Sequence, residues 1–156
     1  MSGMQFGGEE LFAAPQQTVY DLLVDLDALG AGIPDVVSTE KVDNRTLKAV
    51  VRPGFSFLRG TMKLKIELAE LEPPNSALMR IDSQGIGVSM VVESRMRLEP
   101  APTADGAAAT KLTWQAEVSQ MKGLVATISP GLVRAAADQV VRSGWVKLHE
   151  RLAAKG

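Results

Sequence analysis

PGLVRAAADQVVRSGWVKLHERLAA, residues 130–154, is the stretch on which the reading of this chain turns. On a helical wheel Val133, Ala136, Ala137, Val140, Val141, Gly144 and Leu148 share one face. Asp138, Arg142 and His149 share the opposite face. An apolar period of 3.6 residues predicts one amphipathic helix from Pro130 to Ala154. At 1.5 Å per residue it is roughly 37 Å long, enough to cross a whole sheet.

The preceding residues supply that sheet. The clearest strand is Met62, Leu64, Ile66 and Leu68 alternating with Lys63, Lys65 and Glu67. Val88, Met90, Val92, Met96 and Leu98 alternate with Ser89, Glu93, Arg95 and Arg97, and Leu112, Trp114, Ala116 and Val118 with Lys111, Thr113, Gln115 and Glu117. Val36 to Val42 and Thr46 to Arg52 flank the turn-like Asp43-Asn44-Arg45, and Leu78 to Gln84 follows Pro73-Pro74-Asn75. Gln5 to Phe12 is the first strand, its alternation broken by Gly7 and Gly8. Pro15 opens a short helix through Val19, Leu22, Leu23 and Leu26. A second short helix has Asp25 or Asp27 as its cap and Leu29 and Ile33 inward, and Gly30, Gly32 and Pro34 end it.

Half-polar alternation marks an antiparallel sheet with one wet face. Seven strands and one long terminal helix predict a single α+β domain over residues 1–156. With 46% apolar residues the chain builds a real core, and with 4% aromatics that core is Leu, Val, Ile, Ala and Met. Seventeen basic and eighteen acidic residues without a basic block argue against nucleic acid as a partner. No cysteine is present, which removes disulfides, thiolate metal sites and a cysteine nucleophile. Residues 1–10 have no basic or apolar leader pattern, and no apolar run nears the ~18 residues a membrane span needs. A soluble, cytoplasmic protein is expected.

A curved sheet cannot bury its whole inner face under one helix, so a cavity beneath the helix is expected. Its lining from the strands is Met62, Leu64, Ile66, Met90, Val92, Met96, Leu112 and Trp114, and from the helix Val133, Ala137, Val140, Val141 and Gly144. Ala and Gly leave volume there, and Met adapts to varied ligand shapes. For any one of these residues ordinary core packing is the commoner role, so the expectation rests on the set.

Chemistry is sparse. His149, the only histidine, falls on the polar helix face without a partner and reads as a solvated side chain. One His and no Cys make a metal site unexpected. Of Glu9 and Glu10 one must face inward; a charged sheet edge is the simpler role for the pair. Asp25 and Asp27 suit capping, and Asp138–Arg142 is an i,i+4 ion pair. Gly85-Ile86-Gly87 lacks the third glycine and following helix of a phosphate loop and reads as a hairpin connection. Ser129 lacks a nucleophile elbow. No catalytic residue, metal or cofactor is expected.

The order of these elements resembles the helix-grip fold of the START-like (SRPBCC) superfamily, and within it the family of the carbon monoxide dehydrogenase G subunit. The stretches that carry the resemblance begin with Ala14-Pro15, Val19-Tyr20-Asp21-Leu22-Leu23, Asp25, and Leu29 through Gly32-Ile33-Pro34. They continue with Gly60-Thr61-Met62-Lys63, Glu72-Pro73-Pro74, Gly85-Ile86-Gly87, Thr110-Lys111-Leu112-Thr113-Trp114 and Lys122-Gly123-Leu124-Val125-Ala126. Two departures stand out: Asp35 where the family usually has glycine after Ile-Pro, and Tyr20 where its first helix often carries Trp. Many members also have a C-terminal membrane tether, which is not expected of a sequence ending at Gly156.

The resemblance implies a non-enzymatic accessory protein beside a molybdenum-containing carbon monoxide dehydrogenase. It would bind a large apolar ligand of the lipid or quinone class under the long helix and touch the inner face of the membrane at most peripherally. The alternative is a small cyclase- or hydratase-like enzyme, for which Arg80, Asp82, Arg95, Glu10 and Tyr20 are the polar candidates. A third possibility is an interaction module with a filled core. Oligomeric state is left open.

Overall fold

The computed structural model describes residues 4–33, 35–52, 60–85, 87–101, 103, 105–123 and 130–155. The elements run β1 (Met4–Phe12), α1 (Gln16–Leu23), α2 (Leu26–Ala31), β2 (Val36–Lys41), β3 (Thr46–Val51), β4 (Met62–Glu72), β5 (Ser76–Gly85), β6 (Val88–Pro100), β7 (Thr110–Gly123) and α3 (Pro130–Lys155). The strands form one antiparallel sheet in the order β1-β7-β6-β5-β4-β3-β2. It is curved, and the chain has the START-like architecture expected from its sequence.

Hydrogen-bond chemistry sets the short helices. Pro15 occupies the cap of α1 in an extended conformation. In α2 the Asp25 carboxylate accepts from the backbone N–H groups of Asp27 and Ala28 at 3.0 and 3.2 Å, satisfying two donors that a helix start leaves free. Asp25 is therefore the cap; Leu26 opens α2 and does not close α1. Asp27 instead lies 3.7 Å from Lys41. Gly30 lets α2 sit close on the sheet, since a Cβ there would meet Leu47 and Thr39 at 3.2 and 3.3 Å. The Gln16 amide ties the start of α1 to the carbonyls of Pro74 and Leu98 at 2.8 and 3.2 Å. The buried Thr110 hydroxyl donates to the Ala14 carbonyl at 2.8 Å.

Gly7 and Gly8, which blur the first strand in the sequence, are there for Trp114. A Cβ at Gly7 would stand 2.6 Å from the Trp114 carbonyl oxygen, and one at Gly8 would stand 3.3 Å from the indole Nε1. β1 approaches β7 as closely as backbone allows. The main core gathers Phe12, Val19, Tyr20, Leu22, Met96, Leu98, Leu112 and Trp114 under the second half of α3, and a smaller cluster of Leu26, Leu47, Ile66 and Leu68 lies beneath α2.

Candidate functional site

Residues directly opposite in an antiparallel pair point to the same side, so register assigns the faces of the sheet. Met62 faces Val51; Leu64 faces Ser83, which faces Met90; Ile66 faces Ile81, which faces Val92 and then Val118. Met79 continues to Ser94, Ala77 to Met96 and Trp114, and Leu98 to Leu112. All eight strand residues expected from the sequence therefore stand on one face, the face that packs against α1 and α3.

That face is covered unevenly. Leu112, Met96 and Trp114 are 0%, 4% and 7% exposed, and Met62 and Ile66 are also buried. Leu64, Met79, Ile81, Met90 and Val92 form a half-buried strip across the middle of β4, β5 and β6. Met79 and Ile81 are floor residues missed at the level of sequence. Their alternation is real, but Leu78 beside Met79 hides it.

Above the sealed part, Val141, Trp145, Leu148 and Leu152 of α3 pack inward. The Trp145 ring lies 5.9 Å from Trp114 and 6.3 Å from Phe12, and Phe6 closes on Trp114 edge-on at 6.0 Å. This aromatic cluster corrects the expected inward stripe. Trp145, left off it on the wheel, is the anchor, because the largest side chain of the helix gains most from burial. Gly144 then sits roughly 70° round the axis from the centre of that stripe at about 100° per residue. It is exposed, and a Cβ there would meet nothing within 4 Å. The side chains of Val133, Ala137 and Val140 lie outside the described residues. His149 is exposed as expected, but its ring is also stacked on Phe12 with centroids 4.4 Å apart.

The polar candidates mostly point away. Arg80 stands opposite Glu67 and Glu93, and Asp82 opposite Lys65, on the outer face. Arg95, also on that face, reaches Glu70 at 3.5 Å. Tyr20 is buried, and its hydroxyl donates to the Ser76 carbonyl at 2.9 Å. Burial, above all, pushes its pKa upward, so it stays a neutral donor. Of the acidic pair, Glu9 turns outward to Lys111 at 3.4 Å, while Glu10, opposite Leu112, is on the helix-facing side and half-buried. Asp138 and Arg142 are paired at 2.8 Å. Gly85 and Val88 are paired across the β5–β6 connection, as a hairpin requires. Ile86 and Ser129 lie outside the described residues. One directional group on the apolar side has no partner among the described residues: the buried indole N–H of Trp145. Two open depressions lie elsewhere: about 440 Å³ on the back of α3 between Ala135 and Glu150, and about 370 Å³ over β2 to β5 around Lys48 and Lys63.

The helix-facing side thus carries an apolar surface that is buried beside the aromatic cluster and half-buried over β4 to β6. Solved structures share its frame. A conserved protein from Geobacillus kaustophilus matches with a TM-score of 0.86 at 20% identity over 97% of this chain and 96% of its own. A START superfamily protein from Mycobacterium smegmatis matches with a TM-score of 0.71 at 14% identity over 99% and 100%. A protein from Chromobacterium violaceum matches with a TM-score of 0.62 at 16% identity over 93% and 97%. Among curated proteins none matches this sequence. Residues 8–153 match the family model for the G subunit of carbon monoxide dehydrogenase (CoxG), and the chain belongs to that family.

Proposed function

We propose that this chain is a non-enzymatic accessory protein that carries a large apolar molecule of the lipid or quinone class between the sheet and α3. In this reading it serves a molybdenum-containing carbon monoxide dehydrogenase-type enzyme and works in the cytoplasm, at the inner face of the membrane. Family membership supports the enzyme partner. The observation that carries the ligand is the half-buried strip of Leu64, Met79, Ile81, Met90 and Val92 on the face whose Met96, Leu112 and Trp114 are buried. Covering each 100 Å² of such surface is worth about 2.5 kcal/mol, and a hydrocarbon tail of matching shape supplies the cover. The Trp145 N–H, buried without a partner among the described residues, suits a carbonyl oxygen on the ligand's head.

The cyclase- or hydratase-like alternative has less to work with. Arg80, Asp82 and Arg95 face outward and the Tyr20 hydroxyl is engaged by backbone, which leaves Glu10. Native mass spectrometry of protein purified from its own host tests the carrier reading, together with melting in the presence of quinones and lipids. A co-purifying apolar mass and an upward melting shift are expected. No bound molecule and no shift with either class would overturn it.

A further inference from the structure

We propose that β2 is a self-pairing edge: two copies of this chain join their sheets antiparallel along it, with Thr39 opposite Thr39. The proposal concerns assembly and does not depend on the carrier reading.

The sheet ends in β1 on one side and β2 on the other. The β1 edge is occupied in part, since the Arg134 guanidinium donates to the Gln5 carbonyl at 3.2 Å. Nothing among the described residues pairs with the outer side of β2, and all six of its residues are exposed. Val36, Val37 and Val42, on this strand and just after it, are 36%, 59% and 51% exposed. They are three of the five large apolar side chains exposed among the described residues, so exposed apolar surface is concentrated at this edge. A bare edge of this kind is a template for another strand.

The bonds to β3 pick out the free backbone groups. The Val42 N–H donates to the Thr46 carbonyl at 2.9 Å. Bonded and non-bonded pairs alternate in an antiparallel ladder, so Glu40 opposite Lys48 and Ser38 opposite Val50 are the bonded ones. Thr39 and Lys41 therefore turn their backbone N–H and C=O groups outward, where a second strand satisfies them.

Self-complementarity selects both the occupant and the register. Where two identical strands pair antiparallel about a two-fold axis, one residue can face its own copy at the centre. A centre at Glu40 sets two carboxylates opposite one another, and a centre at Lys41 two ammonium groups; both are destabilising. A centre at Ser38 falls on the bulge between Val36 and Ser38. A centre at Thr39 avoids all three. It joins the outward N–H and C=O of Thr39 to those of the second copy and sets two threonines side by side. It also puts the Ser38 hydroxyl opposite the Glu40 carboxylate, twice by symmetry. Val36 of each copy comes opposite Val42 of the other. Because both copies use the same edge, the assembly closes at two.

Sedimentation velocity of the full chain over a concentration series tests the proposal. The mass should rise from one chain to two, without larger species. Thr39→Pro removes the N–H that bonds across the seam in both copies and leaves the ladder to β3 its donors. The dimer should weaken about thirtyfold. Should that variant melt early, a charge series at the exposed Ser38 replaces it. Ser38→Lys faces Glu40 of the second copy and should tighten the dimer about fivefold; Ser38→Glu faces the same carboxylate and should loosen it about fivefold. Within one chain the preference is reversed. Lys48 and Lys63 flank Ser38 on the outer face against the single Glu40, so the acid suits the fold better. Melting of the dilute protein and dimer strength should thus move in opposite directions, which a purely structural effect does not produce. A monomer up to the solubility limit overturns the proposal, as does a dimer indifferent to Thr39→Pro or one with the Ser38 order reversed. So does protection of the Thr39 and Lys41 amides from hydrogen exchange only when a different protein is added, which would give the edge to that partner.

Discussion

The helix-facing side of the sheet holds two regions of the same chemistry and different cover. Around Leu112, Trp114 and Met96 the surface is sealed; around Leu64, Ile81, Met90 and Val92 it is half-buried. Both are apolar and each contains a methionine, so hydrophobicity does not separate them. What separates them is the layer above: Tyr20, Trp145 and Leu148 lie over the first, with Phe12 at the end of β1 packed beside it. Large side chains cover that region, and the burial that drives folding is concentrated there. The comparison breaks most directly at its two floors. Leu112→Ala should cost about 2–5 kcal/mol, because a fully buried leucine leaves a cavity as well as losing transfer energy. Leu64→Ala should cost about 1 kcal/mol, the share of a half-buried side chain. Urea unfolding of the two variants measures both, and equal losses would erase the distinction between core and groove.

The next effects fall on ligand affinity. Gly144→Leu should stabilise α3 by up to about 1 kcal/mol, since glycine is a poor helix former and the added side chain enters open space. Because Gly144 is exposed and off the inward stripe, affinity for a quinone or lipid should stay within about twofold. A loss of affinity of about tenfold or more would place the ligand against this flank of α3. Trp145→Phe keeps the aromatic contacts to Phe12 and Trp114 and removes one N–H. A carbonyl-bearing ligand should then bind about five- to tenfold more weakly, and a plain hydrocarbon no differently. Titration with the two ligand types separates these outcomes.

Much of this arrangement is legible before any coordinates. The strand alternation of Met62 to Leu68 and Leu112 to Val118 fixes which residues share a face, because side-chain period and register leave one choice. The existence and span of α3 are legible for the same reason. Which part of α3 faces the sheet is not. A wheel weighs Gly144 and Val141 alike, whereas packing turns on Trp145, whose partners Phe12 and Trp114 are distant in sequence. The half-buried pair Met79 and Ile81 is hidden by Leu78, a buried apolar residue on the opposite face. The reason for Gly7 and Gly8 is equally non-local, since it lies in Trp114.

Tyr20 tests the sealed region from another side. Its pKa is raised above the ordinary 10.0, chiefly by burial, so the folded state holds the phenol proton more tightly than the unfolded chain does. Stability from this group is therefore complete below pH 10.0 and is lost as pH rises through the raised value. Tyr20→Phe should cost about 1 kcal/mol at neutral pH by leaving the Ser76 carbonyl without its donor. It should also flatten the alkaline decline, narrowing the gap to wild type as pH rises in a series of denaturation curves. A gap that stays constant above pH 10.0 would show that the phenol does not titrate with folding.

The smallest expected effect lies just before β2, at Asp35. Asp35 has φ of 59°, in the left-handed region where a Cβ is strained and glycine is not. Its carbonyl still accepts from Arg52 at 3.0 Å, so the backbone conformation is useful and only the side chain is out of place. Asp35→Gly removes strain of about 1–2 kcal/mol, reduced because Asp tolerates this region better than most residues. Against that stands about 0.5–1 kcal/mol of extra unfolded-state entropy for glycine. The balance should be a gain of about 0.5 kcal/mol, or a melting temperature higher by about 1–2 °C. Ligand affinity should not change, because the side chain is exposed and sits on the β2 edge, two strands from Leu64. A variant that melts lower than wild type would show that the Asp35 side chain contributes more at this turn than its backbone strain removes.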